Sequence, residues 1–209
     1  MRSLKGSFLT VVLLTCLLAS INAVCQELEP FNDRYCTTCH GADGRGNEGV
    51  QAPRLAGMED WYLIRQLENF RAGIRGMHPQ DIEGAAMQPM AAKLSDASIA
   101  DIVEWADSWP AEPAGITVQG DVVRGEKFYA VCATCHGVHA EGSETLGAPA
   151  MAGQNDWYLV TQLKNFMADY RGNHRDDSYG QQMRSMARTL GDEVGIRDVV
   201  SYINTFAER

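Results

Sequence analysis

The sequence predicts an all-α protein made of two copies of one small domain. Three observations predict it. Residues of the first half recur 96 positions later, apolar residues within each copy recur at spacings of three and four, and no segment alternates with period two for long. Cys36, Cys39 and His40 recur as Cys132, Cys135 and His136. Pro53 and Gly57 recur as Pro149 and Gly153, and Asp60-Trp61-Tyr62-Leu63 as Asp156-Trp157-Tyr158-Leu159. His78, Met87, Met90 and Leu94 recur as His174, Met183, Met186 and Leu190. Beyond Leu94 the offset becomes 97, so that Ile99, Asp101 and Val103 match Ile196, Asp198 and Val200. One extra residue therefore sits in the turn before the last helix of the second copy.

The elements follow in order. A helix precedes the cysteine motif of the second copy, from Asp121 to Val131 through Phe128 and Tyr129. The first copy has a shorter version, with Pro30 near its start and Phe31 and Tyr35 as packing residues. Asp60 and Asp156 read as N-caps of a second helix. Leu63, Ile64, Leu67 and Phe70 form its apolar face, as do Leu159, Val160, Leu163 and Phe166, with Gly76 and Gly172 closing it. Met87-Gln88-Pro89-Met90 reads as a loop. A last helix covers residues 96–108, with Ile99, Ile102, Val103 and Trp105 inward, and its equivalent runs to Phe206. Pro110, Pro113 and Gly115 mark a linker. The boundaries are then a signal peptide over 1–23, a first domain over 24–108, a linker over 109–120 and a second domain over 121–209.

The chemistry lies in Cys36-Thr37-Thr38-Cys39-His40 and Cys132-Ala133-Thr134-Cys135-His136. Cys-x-x-Cys-His is the attachment pattern of c-type haem. The two thiols add to the haem vinyl groups, and the histidine gives an imidazole nitrogen to the iron from the same face. One such pentapeptide also reads as half a zinc or redox site. Two, each followed at one fixed distance by a methionine, predict two haem c groups. Covalently held haem also supplies apolar interior that domains of under about a hundred residues lack.

Haem iron in an electron-transfer site usually takes a second protein ligand, often methionine. In the first copy the candidates are Met77, His78, Met87 and Met90. Met77 fails the repeat, since Asn173 stands at its equivalent, whereas the other three recur. The loop containing Met87 is placed to fold across an open haem face. His78 and His174 lie in polar turns, and Met90 and Met186 suit filling beside the haem.

The chain resembles dihaem cytochromes c of the cytochrome c4 type, two class I cytochrome c domains in tandem, each wrapped around one covalently attached haem. The resemblance covers residues 28–209. It rests on CTTCHG and CATCHG, on the two WYL-x-x-QL-x-NF segments, and on M-x-x-M four residues before a leucine. It implies that Met87 and Met183, each 47 residues after its haem histidine, join His40 and His136 as axial ligands. It also implies that the carbonyls of Pro53 and Pro149 accept from the imidazole N–H groups, which orients the rings. Arg184, standing where the first copy has Gln88, is a departure expected to separate the two potentials. The implied role is electron transfer between redox proteins rather than enzymatic turnover. The donor would be a quinol-oxidising complex or dehydrogenase, and the acceptor a terminal oxidase or reductase. A dedicated cytochrome subunit of a dehydrogenase or oxidase is the alternative. A dihaem peroxidase would need one iron open to peroxide, against matched methionines in both copies.

The N-terminus reads as an export signal. Arg2 and Lys5 precede an apolar run over residues 8–21, short for a membrane span. Export fits haem attachment and a periplasmic location, with loose membrane association as the lesser reading. Of the six cysteines, Cys16 leaves with the signal and Cys25 is left over, after a poor lipobox. The formal charge of −9 disfavours nucleic acid. Residues 24–117 carry 7 basic and 15 acidic side chains, residues 118–209 carry 9 and 12. This bias would steer a basic partner toward the first domain, with Glu59, Glu68 and Asp81 as its candidate charges.

Overall fold

The computed structural model describes residues 34–207. The expected signal segment, Cys16, Cys25 and the residues Pro30 and Phe31 lie outside the described residues. Among the described residues there are eight α-helices and two isolated antiparallel bridges, Asn47 with Ala52 and Ser143 with Ala148. None of these helices is long and apolar enough to cross a membrane. The first copy holds α1 (Arg34–His40), α2 (Asp60–Arg71), α3 (Ile82–Ala91) and α4 (Asp96–Asp107). The second holds α5 (Val122–His136), α6 (Asp156–Met167), α7 (Ser178–Arg188) and α8 (Glu193–Asn204). In each copy the second helix packs against both the third and the last, and α5 packs along α8.

Helix α5 begins at the Asp121 carboxylate, which accepts from the Arg124 N–H. It does not stop at Val131 as the sequence suggests. Nothing in Cys-Ala-Thr-Cys-His breaks a helix, so it runs through the motif to Gly137, whose φ of +80° ends it. Met87 and Met183 also sit on helices, α3 and α7, rather than in loops. Asp81 and Asp177 cap these helices by accepting from Gly84 and Gly180. Pro89 lies late in α3, where its missing N–H forfeits one bond in the final turns. Gly76 and Gly172 do not close α2 and α6, which end at Arg71 and Met167. They are needed for close approach instead. A Cβ at either would lie 2.3 Å from the carbonyl oxygen of Gly84 or Gly180.

Asp60 and Asp156 are the first helical residues rather than the caps; Glu59 and Asn155 stand at the cap positions without capping side chains. Those two side chains are used between the copies. The Glu59 carboxylate accepts from Ala150 N–H at 2.8 Å, and Asn155 Oδ1 accepts from Arg54 N–H at 2.7 Å. The same near-symmetry organises the rest of the interface. Arg75 donates to Gln66 of its own copy and to Gln162 and the Tyr158 hydroxyl of the other. Arg171 donates to Gln162 and, across the interface, to Gln66 and the Tyr62 hydroxyl. Both guanidinium groups are buried and lie over phenylalanine rings, Phe70 and Phe166, at 4.5 Å.

The copies differ in how the intervening segment is held. Asp156, 1% exposed, accepts from Thr117 N–H, Thr117 Oγ1, Val118 N–H and Asn204 Nδ2 at 2.6–3.1 Å. This seats Val118 in the second core with Tyr129, Ile196 and Val200. Asp60 is exposed. Burial alone would push the Asp156 carboxyl up, but its donors outweigh burial and hold it below its ordinary value. Asp156→Ala is expected to destabilise the second copy by about 3 kcal/mol, because buried N–H groups lose their acceptor. Asp60→Ala should change stability by under about 0.5 kcal/mol. A carboxyl depressed on folding stabilises fully above its unfolded-state value, about 3.9, and that contribution is lost as pH falls through the lower folded-state value. Acid unfolding followed by circular dichroism should therefore lose part of its pH dependence, below about pH 4, in Asp156→Asn.

Candidate functional site

The histidine of each motif closes its helix and turns inward. His40 and His136 are 5% and 6% exposed. Their Nδ1 atoms lie 2.7 Å from Pro53 O and 2.8 Å from Pro149 O. A carbonyl only accepts, so Nδ1 carries the proton and Nε2 keeps its lone pair for a metal. Burial pushes both imidazoles below their ordinary value, opposed by the carbonyl bonds. Cys36 and Cys132 are half-buried and Cys39 and Cys135 exposed. Burial pushes the Cys132 thiol up.

In the second copy these residues border a cavity of about 360 Å³. Cys132, Cys135, His136 and Met183 all line it. Leu159, Leu163, Phe166, Val199 and Ile203 make much of the rest apolar, while Gln162, Arg171 and Tyr158 add donors. Two thiols, a neutral inward imidazole, a thioether, apolar walls and an arginine suit a flat apolar macrocycle bearing two carboxylates. In the first copy Cys36, Cys39 and His40 recur on α1, and Met87 lies half-buried on α3. There the relation between the motif and Met87 rests on the repeat.

The alternative ligands separate. Met186 lines the second cavity too but is 38% exposed, and Met90 is 47% exposed. Both are exposed rather than the core fillers expected. His174 is not part of the cavity lining. His78 instead stacks on Tyr170 of the other copy, centroids 4.8 Å apart. Arg184 is turned to Asp169, which also pairs with Arg188, so its charge is compensated away from the cavity. Of the candidate steering charges, Asp81 is buried, binding Asn165 across the copies, and Glu59 is committed to Ala150. Glu68 alone of the three is exposed.

Sequence reading passed over the residues that the first copy lends to this cavity: Met58, Tyr62, Arg65, Gln66 and Asn69. A signal for Tyr62 and Gln66 was present, since both recur, as does Arg75, although polar surface positions drift freely between repeats. Arg65 carried no such signal, because threonine stands at its equivalent.

Comparison with known proteins agrees with the geometry. The family model described as Cytochrome c matches residues 29–108 and again 122–207. A thiosulfate dehydrogenase electron acceptor of Stutzerimonas stutzeri (strain A1501) is 32% identical over 165 residues, 73% of this chain and 72% of that protein. A cytochrome c4 of Stutzerimonas stutzeri is 31% identical over 179 residues, 80% of this chain and 82% of the other. The solved cytochrome c4 of Acidithiobacillus ferrooxidans superposes with a TM-score of 0.67 at 26% identity, covering 83% of this chain and 99% of that one. With its two haem motifs, two oriented histidines and two matched domains, the chain belongs to the cytochrome c family, as a dihaem electron-transfer protein of the cytochrome c4 type with two covalently bound haem c groups.

Proposed function

We propose that this cytochrome is a periplasmic carrier that passes single electrons between respiratory partners through two haems, each ligated by histidine and methionine. Cys36 and Cys39 would hold one haem, with His40 and Met87 as its iron ligands. Cys132 and Cys135 would hold the other, with His136 and Met183. The domains span residues 24–108 and 121–209, joined by residues 109–120. The observation that carries this reading is the second cavity, where Met183 shares the lining with both motif cysteines and His136. When bound, the iron would supply a one-electron ferric–ferrous couple. The protein's part is to provide two iron ligands at each site, exclude water with apolar walls and set the potential through ligand and burial.

The name of the Stutzerimonas relative, a thiosulfate dehydrogenase electron acceptor, supports a dehydrogenase as donor. The dedicated-subunit reading shares this chemistry and differs only in the lifetime of the complex. The test is stopped-flow oxidation of the reduced holoprotein by a terminal oxidase preparation. Two electrons should leave per chain, with no turnover of added peroxide. Peroxide reduction at a catalytic rate would overturn the carrier reading.

The first domain's acidic excess gives a further expectation. Association with a basic partner should slow as salt rises, the screening length being about 8 Å at physiological ionic strength. Reversing the exposed Glu48 and Glu68 to lysine should slow association more than reversing the exposed Glu126 and Glu144. Equal effects, or rates independent of salt, would show that the bias serves only solubility.

A further inference from the structure

The interface between the two domains is nearly symmetric, but one contact at the second cavity is not. Arg65 of α2 lies against three aromatic rings, Trp61, Tyr62 and Tyr179, with its guanidinium carbon 4.4–5.4 Å from their centroids. It also donates to the carbonyl of Gly147 at 2.7 Å. Tyr179 and Gly147 belong to the second domain, and all three residues line the second cavity. The residue equivalent to Arg65 is Thr161, a neutral side chain whose hydroxyl donates to Gln51 Oε1 at 3.4 Å. The residue equivalent to Tyr179 is Glu83. Two repeat positions thus put a cation and a tyrosine at the second cavity, where their equivalents are a threonine and a glutamate.

The other charges do not produce this difference. Arg75 and Arg171 are equivalents with equivalent partners, and Asp81 and Asp177 cap equivalent helices. Arg184 is compensated by Asp169. Partial burial pushes the Arg65 guanidinium down, with Tyr62, Tyr179 and Asp177 opposing. No salt bridge pairs its charge directly among the described residues, and arginine stays protonated through neutral pH.

We propose that Arg65 of the first domain is a positioning and tuning residue of the second haem's site, so that the potential of the second haem depends on a charge supplied by the other domain. The proposal rests on the second haem occupying this cavity. A fixed cation beside a partly desolvated site disfavours the ferric form, which carries one more positive charge than the ferrous form. Arg65 therefore raises the second potential. Its aromatic clamp and its bond to Gly147 hold the guanidinium at one place rather than leaving it free in solvent.

The test is optical redox titration of holoprotein variants whose haem count is checked by intact mass. Arg65→Thr, which copies the other domain, should lower one of the two potentials and leave the second unmoved. Arg65→Lys should recover much of the loss, since charge is kept and only the fork to Gly147 and the stacking are altered. Thr161→Arg should raise the potential that Arg65→Thr does not touch. Two unchanged potentials in Arg65→Thr, equal shifts of both, or loss of a haem from that variant would each overturn the proposal. Fewer than two haems in the unaltered protein would instead overturn the reading on which it rests.

Discussion

Replacing Cys132 and Cys135 together by serine should remove one haem and unfold the second domain while leaving the first haem attached. The two effects are linked through the core. Without haem the cavity of about 360 Å³ stays open beside Leu159, Phe166, Val199 and Ile203. At about 24 cal/mol per Å³ of retained cavity the cost is on the order of 9 kcal/mol. Domains of this size are stable by only about 5–15 kcal/mol, so the second domain is left marginal. Intact mass should fall by one haem, and the thermal transition of the second domain should be lost or strongly lowered. A variant that kept both haems, or one that lost a haem yet melted normally, would show that the motif or the cavity had been misassigned.

Met183→Ala should abolish the thioether-to-ferric charge-transfer band of one haem and lower that haem's potential. Thioether sulfur favours ferrous iron, whereas the water or nitrogen ligand that replaces it favours ferric. Met87→Ala should do the same to the other haem, so each variant keeps half of the original band. His174→Ala should leave the spectrum as it was, since His174 lies outside the cavity lining. His78→Ala should also leave it, while weakening the interface by about 1 kcal/mol through loss of the Tyr170 stack. Histidine variants that altered the spectrum, with methionine variants silent, would establish two-histidine ligation.

The architecture was legible because haem attachment is encoded in contiguous residues and the repeat shows each element twice. The extra residue in the second copy is real in the structure. Gly191, with φ +80°, precedes the cap Asp192, where the first copy passes directly from Leu94 to the cap Ser95. The carbonyls of Pro53 and Pro149 stand where the family resemblance put them. Helix starts were misread by one residue, and the reason is physical. Asp60 and Asp156 look like caps, but Glu59 and Asn155 hold that place, and their side chains are diverted to the other domain. An aspartate at a helix start does not announce whether it caps or, as Asp156 does, gathers a distant segment. The loop assigned to Met87 proved helical, as is the equivalent segment at Met183, because the capping aspartates Asp81 and Asp177 lie six residues upstream, and Pro89 falls too late to break its helix.

What the sequence concealed is the interface. Tyr62, Gln66 and Arg75 with their equivalents form a polar network whose partners are 83–109 residues apart. No local pattern records such pairs. Two of the three candidate steering charges were not the surface acids they resembled, for the same reason. Glu59 and Asp81 read as surface acids on a negative domain, yet each is consumed by a donor from the other half of the chain.

If both irons are closed by protein ligands and serve only to carry electrons, carbon monoxide has no site to enter. An optical redox titration of the holoprotein, run with and without carbon monoxide, decides this. Two one-electron steps are expected, at the same potentials under both conditions, with a reduced spectrum that carbon monoxide does not alter. A carbon monoxide complex forming at either haem would mean that one iron has an open position, and would contradict that closure.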